Sequence, residues 1–211
     1  MSNRNNFKGT TTVGIVCKDG IVFASEKRAT LGNLIAHKAV DKIFKIDEHL
    51  ATTVAGSVGD AQKLVEYLKA EVRLYKLRTG KPATVRAAAS IASNILHASR
   101  MFPFIVQMLI GGIDETGPKI YSVDPAGGKI EDKYVSTGSG SPIAYGVLED
   151  RYKKDMSVED AINIALRAIK SSTKRDTFSG DGISLAVVTE KEGFKRFDEK
   201  YIKSKIKEID C

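Results

Sequence analysis

Residues 11–25 read TTVGIVCKDGIVFAS, two runs of small, β-branched and apolar residues that meet at Lys18-Asp19-Gly20. An Asp-Gly pair between apolar runs is a strong hairpin signal, because both residue types tolerate the positive φ of a tight strand reversal. Strands are therefore expected over 11–17 and 20–25. A second pair follows. Residues 41–46 alternate polar and apolar, residues 50–55 are mostly apolar, and Asp47-Glu48-His49 supplies the turn.

The pattern then changes period. Between 60 and 78, Leu64, Val65, Leu68, Val72 and Tyr75 recur at helical spacing, and Gly80-Lys81-Pro82 ends the run. Residues 84–101 are alanine-rich and predict a second helix, stopped before Pro103. Strands are expected at 104–113 and 120–123, a turn at 124–128, and a continuation of the same sheet at 129–136. Helices are expected over 141–154 and from Ser157, whose hydroxyl can cap the helix with Asp160 three residues on. The second of these has an apolar face of Val158, Ile162, Ala165, Leu166 and Ile169. Strands at 183–189 and 194–197 and a helix at 201–209 complete the chain. Runs of strands separated by paired helices predict an α+β fold. The arrangement that buries every apolar face is two antiparallel sheets packed together with a helix pair outside each, a four-layer αββα sandwich.

The 211 residues fit one domain. No run approaches the ~18 apolar residues of a membrane span, and residues 1–9 lack the apolar core of a secretory signal. The expected location is the cytoplasm. Cys17 and Cys211 are the two cysteines, and the three histidines, His37, His49 and His97, are scattered. Neither a disulfide framework nor a metal site is expected. The net charge is +7, but lysines and arginines are interleaved with acids along the chain. That favours a solvated or partner-facing surface over nucleic-acid binding.

Residues 9–12, Gly-Thr-Thr-Thr, are by themselves compatible with the start of an edge strand. Three further segments add to them: ATTVAGSVGD at 51–60, STGSGS at 136–141 and RDTFSG at 175–180. With GTTTVGI at 9–15, SEKRAT at 25–30, HKAVDKIF at 37–44, GGID at 111–114 and DPAGG at 124–128, they resemble the β-type subunits of the 20S proteasome, most closely those of archaea. The resemblance runs from Gly9 through essentially the whole chain. It implies the sandwich of N-terminal nucleophile hydrolases, in agreement with the element order.

The resemblance implies an endopeptidase of unfolded polypeptide that cuts itself between Gly9 and Thr10. Residues 1–9 are then a removable propeptide and 10–211 the catalytic domain. The chemistry explains why the cut must come first. A threonine hydroxyl needs a base beside it. The α-amino group of an N-terminal threonine, with a pKa of ~7.7–8.0, is such a base, whereas an internal threonine has only an amide. Thr11 and Thr12 are rivals on residue type, and the family pattern favours Thr10. Lys42 matches the family's active-site lysine, whose ammonium favours a neutral Thr10 amine and a deprotonated hydroxyl. Without the resemblance it is a polar position in an alternating strand. Glu26 matches the carboxylate that pairs with that lysine, a position often held by Asp. Gly56 matches the residue whose N–H stabilises the oxyanion, and Ser139, Asp176 and Ser179 match the polar groups that orient Thr10. Where the family often has two glycines after that last serine, this chain has Gly180, Asp181 and Gly182.

Ala29, Val40, Val54 and Phe44 match the walls of the specificity pocket. Their apolar character implies cleavage after hydrophobic residues, although each also fits ordinary core packing. Thr30 matches a residue whose backbone pairs with extended substrate. No cofactor is implied. The partners implied are other β subunits in a seven-membered ring, a ring of α subunits, and an unfolding ATPase. Neither nucleic acid nor membrane is among them. Two other readings remain open on sequence: a ring subunit without activity, and an amidase of the same fold acting on a small molecule.

Overall fold

The computed structural model describes residues 9–210. The opening hairpin is β1 (Thr12–Cys17) and β2 (Gly20–Glu26), with Cys17 opposite Gly20 across the turn. A short ribbon follows, β3 (Ala29–Leu31) with β4 (Leu34–His37). Next come β5 (Ile43–Asp47), β6 (Leu50–Gly56), α1 (Val58–Thr79) and α2 (Val85–Ala98). The middle of the chain forms β7 (Val106–Asp114), β8 (Gly117–Val123), β9 (Lys129–Asp132) and β10 (Tyr134–Thr137). The last elements are α3 (Ser141–Arg151), α4 (Val158–Thr173), β11 (Ile183–Thr189), β12 (Gly193–Arg196) and α5 (Glu199–Asp210).

Two five-stranded antiparallel sheets result, in the orders β10-β1-β2-β11-β12 and β5-β6-β7-β8-β9. Strand alternation sorts the apolar residues into three layers. Val13, Ile15, Val22, Ala24, Leu185 and Val187 face α3, α4 and α5. Ile21, Phe23, Ala51, Leu109, Ile120, Ala186 and Val188 fill the space between the sheets. Leu50, Val54, Met108, Ile110, Tyr121 and Val123 face α1 and α2. The fold is thus the expected αββα sandwich, and every residue of β2 is buried because that strand has protein on both faces.

The differences from expectation have physical causes. Residues 129–136 do not continue a single sheet. The chain bends at Lys133, and β10 leaves the second sheet to pair with β1, Thr12 opposite Thr137. That crossing carries the 136–141 segment to the start of β1. The β3–β4 ribbon was not expected, since its residues Leu31, Leu34 and Ile35 are exposed and give no buried-face periodicity. Lys42 precedes β5 instead of lying within it. Tyr75 is 36% exposed and lies off the buried face of α1. The helices over 84–101 and 141–154 stop earlier, at Ala98 and Arg151.

Side-chain caps fix the starts of α2 and α4. Ser157 Oγ accepts the Asp160 N–H at 3.1 Å, as expected. The start of α2 is held twice: Thr84 Oγ1 accepts the Ala87 N–H at 3.1 Å, and Asp114, at the end of β7, accepts the Val85 N–H at 2.8 Å. Burial raises the Asp114 pKa, but hydrogen bonds from Thr116 and the Val85 N–H outweigh it and hold the carboxyl below its ordinary value. Asp114→Ala is expected to cost about 1–2 kcal/mol in urea unfolding at neutral pH. A group with a depressed native pKa stabilises above its unfolded pKa and loses that contribution as pH falls through the native one. The difference between Asp114→Ala and the parent should therefore shrink on acidification below about pH 4.

Candidate active site

The start of β1, the end of β2, the segment before β5, the β10–α3 turn and the α4–β11 loop converge at one end of the sandwich. Thr10, Thr11, Glu26, Lys42 and Ser179 are all buried there, with Glu26 at 0% exposure and Lys42 at 5%. A buried carboxylate and ammonium are tolerated only when paired and hydrogen-bonded. Here Lys42 Nζ donates to Glu26 Oε1 and to the Arg28 carbonyl oxygen, the latter at 2.6 Å. Glu26 also accepts the backbone N–H groups of Thr11 (3.3 Å), Arg28 (2.7 Å) and Gly180 (3.1 Å). Burial lowers the Lys42 pKa, against the opposing charge of Glu26. Burial likewise raises that of Glu26, against Lys42 and the backbone donors.

A second group of hydrogen bonds lies on the other side of Thr10. The Thr10 N–H donates to Ser139 Oγ at 3.2 Å. Asp176 Oδ2 accepts from both Ser139 Oγ and Ser179 Oγ, each at 2.6 Å. With the Ser179 proton committed to Asp176, the 2.7 Å contact between Thr11 Oγ1 and Ser179 Oγ has Thr11 as donor. Thr12 Oγ1 bonds Thr137 Oγ1 at 2.8 Å and accepts from Thr53 Oγ1 at 3.0 Å. The three threonines therefore differ. The hydroxyls of Thr11 and Thr12 are taken up in bonds, whereas Thr10 Oγ1 makes no hydrogen bond among the described residues.

Gly9 fits where no side chain would. A Cβ there would overlap Phe178 and come within 2.6 Å of Ser139 Oγ. Gly56 ends β6 at φ +130, a conformation strained for any other residue, and a Cβ would collide with the Ile105 carbonyl oxygen. Two residues before it on the same strand, the Val54 N–H donates to the Lys42 carbonyl at 3.0 Å. The Val40 N–H donates to the Lys27 carbonyl at 2.9 Å. Ala29 and Thr30 are buried on β3, and Thr30 Oγ1 has no hydrogen-bond partner among the described residues. Val54 packs in the layer under α1 and α2, with Phe44 against it. Among the described residues no three His, Cys, Asp or Glu side chains converge as a metal site requires.

Sequence reasoning gave no role to Arg28 or Phe178, and it noted Asp181 only as a departure from a glycine pattern. Arg28 lies within the SEKRAT segment, but nothing in its spacing signals that its backbone meets Lys42 and Glu26 while its guanidinium reaches the 177–181 loop.

A model of the proteasome subunit family matches residues 6–188. The chain is 62% identical over 209 residues to the proteasome subunit beta of Methanothermobacter thermautotrophicus, covering 99% of this chain and 100% of that one. It is 58% identical to the proteasome subunit beta of Methanobrevibacter ruminantium, over 99% of each chain. The proteasome subunit beta of Methanocaldococcus vulcanius is 57% identical over 94% of this chain and 89% of its own. The chain belongs to the proteasome subunit family, among the β subunits of archaea.

Proposed function

We propose that this proteasome-family chain is the catalytic β subunit of a core-particle protease, and that its nucleophile is Thr10 after cleavage of the Gly9–Thr10 bond. The observation that carries the reading is the division of labour at residues 10–12: among the described residues the Thr10 hydroxyl makes no hydrogen bond, its two neighbours are tied, and the adjacent Thr11 N–H is held by the buried lysine–glutamate pair. The site residues then take these roles. In the uncut chain Thr10 Oγ1 adds to the Gly9 carbonyl carbon, and the acyl group passes from nitrogen to oxygen. Water hydrolyses the ester, leaving residues 1–9 with a new carboxylate and Thr10 with a free amine. Residues 1–8 lie outside the described part of the chain.

The amine becomes the base. It takes the proton of Thr10 Oγ1 as the oxygen attacks a peptide carbonyl. It returns that proton to the leaving amine when the C–N bond breaks, and it activates water for hydrolysis of the acyl-threonine. Ser139, Asp176 and Ser179 orient the amine through the bonds that now hold the Thr10 N–H. Lys42, fixed by Glu26, keeps positive charge near the hydroxyl. The Gly56 N–H stabilises the oxyanion, worth about 3 kcal/mol for a well-placed donor. The backbone of Thr30 aligns the substrate, and Ala29, Val40 and Val54 shape an apolar subsite.

Assembly is part of the proposal. Leu31, Leu34, Met101, Phe102, Ile105 and Ile130 are large apolar side chains at least 61% exposed. Burial against neighbouring β and α subunits in stacked rings accounts for them. Enclosure of the site would also restrict it to unfolded chains delivered by an ATPase, in the cytoplasm.

The test is hydrolysis of fluorogenic peptides by the chain co-assembled with α-type subunits. Peptides with a large apolar residue before the scissile bond should be cut at least tenfold faster than those with an acidic or basic one, a discrimination of about 1.4 kcal/mol. Equal rates would remove the apolar-subsite assignment, and no hydrolysis in assembled particles would remove the protease.

A further inference from the structure

We propose that Asp181 is a positioning residue: its carboxylate clasps Arg28 and thereby locks the loop bearing Asp176 and Ser179 against the Lys42–Glu26 pair. The inference rests on the protease reading above and adds a residue to it.

Asp181 sits at φ 62, in the left-handed region, between Gly180 and Gly182. For a residue with a Cβ that conformation is unfavourable by about 1 kcal/mol or more. A glycine would meet no such strain, so an aspartate there is explained by what its side chain does. Its Oδ2 accepts from Arg28 Nε at 2.7 Å, and both side chains are largely shielded, at 17% and 20% exposure. The same guanidinium donates through Nη1 to the Thr177 carbonyl at 2.7 Å. One planar group thus grips the loop on both sides of Ser179. Gly180 lies flat against it: a Cβ there would fall 2.6 Å from the guanidinium carbon.

The other end of Arg28 belongs to the site. Its N–H donates to Glu26 Oε2 at 2.7 Å, and its carbonyl accepts from Lys42 Nζ at 2.6 Å. The loop returns two contacts: the Gly180 N–H donates to Glu26 Oε2 at 3.1 Å, and the Gly180 carbonyl accepts the Lys27 N–H at 3.1 Å. Arg28 therefore bonds the lysine–glutamate pair by its backbone and the 177–181 loop by its side chain, as Thr11 does through a neutral hydroxyl, but Arg28 does so with a charged group. Without Asp181 the loop keeps its backbone bonds but loses the charged grip that sets its distance from Lys42. The Arg28 hydrogen bond also holds the Asp181 carboxyl below its ordinary pKa, with Lys38 adding to the effect, so the clasp stays charged at neutral pH.

The experiment uses the full chain co-assembled with α-type subunits, in wild-type, Asp181→Gly, Asp181→Asn, Arg28→Lys and Arg28→Lys/Asp181→Asn forms. Asp181→Gly relieves the φ strain, so its melting temperature should not fall, while kcat for a fluorogenic peptide drops about tenfold with KM unchanged, the signature of misplaced groups rather than lost binding. Asp181→Asn, which tolerates the same φ, should match it. The double variant should be no worse than Arg28→Lys alone, because both changes open one contact. An Asp181→Gly particle with kcat within twofold of wild type overturns the clasp and leaves the protease reading standing. So does a loss of kcat that follows a parallel loss of melting temperature in both Asp181 variants. A wild-type particle without Thr10-dependent hydrolysis overturns the reading and the clasp together.

Discussion

Thr10→Ala is expected to eliminate peptide hydrolysis by the assembled particle, a loss on the order of 10,000-fold or more, because the variant has no atom to carry the acyl group. The same variant should keep residues 1–9, since the hydroxyl that attacks the Gly9 carbonyl is also gone. Thr11→Val provides the contrast. It removes the bond to Ser179 Oγ and should reduce the rate by roughly tenfold, the scale of a disturbed orienting contact. The order of the two effects carries the argument. A hydroxyl already donated to Ser179 must break that bond to become a nucleophile, whereas Thr10 Oγ1 has none to break among the described residues. If Thr11→Val were the inactive variant and Thr10→Ala the mildly impaired one, the assignment would be wrong by one residue. A small-molecule amidase and an inactive ring subunit both predict no Thr10-dependent cleavage of peptides.

The second large effect is expected at Lys42. Lys42→Met leaves Glu26 at 0% exposure with backbone donors but no counter-charge, and breaking a buried pair from one side costs about 3–5 kcal/mol. Activity should fall with stability. The two losses separate in Glu26→Gln/Lys42→Met. Replacing the charge by a neutral amide of similar shape should recover most of the stability and none of the activity. Recovered activity would mean that the pair is only structural. The pH profile tests the same point. In the proposed mechanism Lys42 works as an ammonium, and burial lowers its pKa, so activity should disappear as pH rises through a value below the ordinary lysine pKa of ~10.4. On the acid side the limit is the Thr10 amine, which must be neutral to accept a proton.

Much of the fold was legible because its signals are local. The 11–25 hairpin, the apolar stripe of α4 and the Ser157 cap depend on residues close in sequence, and each appears where the pattern puts it. The crossing at Lys133 was not legible. Residues 129–136 have strand character throughout, and only the partners across space, β8 on one side and β1 on the other, decide that the run is split between sheets. The β3–β4 ribbon carries no periodicity because its two buried residues, Ala29 and Thr30, are adjacent and the rest of the ribbon is exposed, so no alternating buried face arises. At the site, the nucleophile and the groups around it were implied only by the family resemblance that several segments carry together. What sequence could not supply was the allocation of hydrogen bonds among Thr10, Thr11 and Thr12, three identical side chains in a row. That allocation depends on Ser179 and Thr137, each more than a hundred residues away. Arg28 was missed for a related reason: its backbone and side chain contact different parts of the site, and no spacing rule encodes that.

The most direct measurement is the N-terminus of this chain in assembled, peptide-cleaving particles, determined by sequencing and intact mass. A chain that starts at Thr10 is predicted, with Thr10→Ala particles retaining residues 1–9. Particles that cleave peptide while Gly9 remains joined to Thr10 would contradict the account, because an amide nitrogen cannot be the base on which it depends.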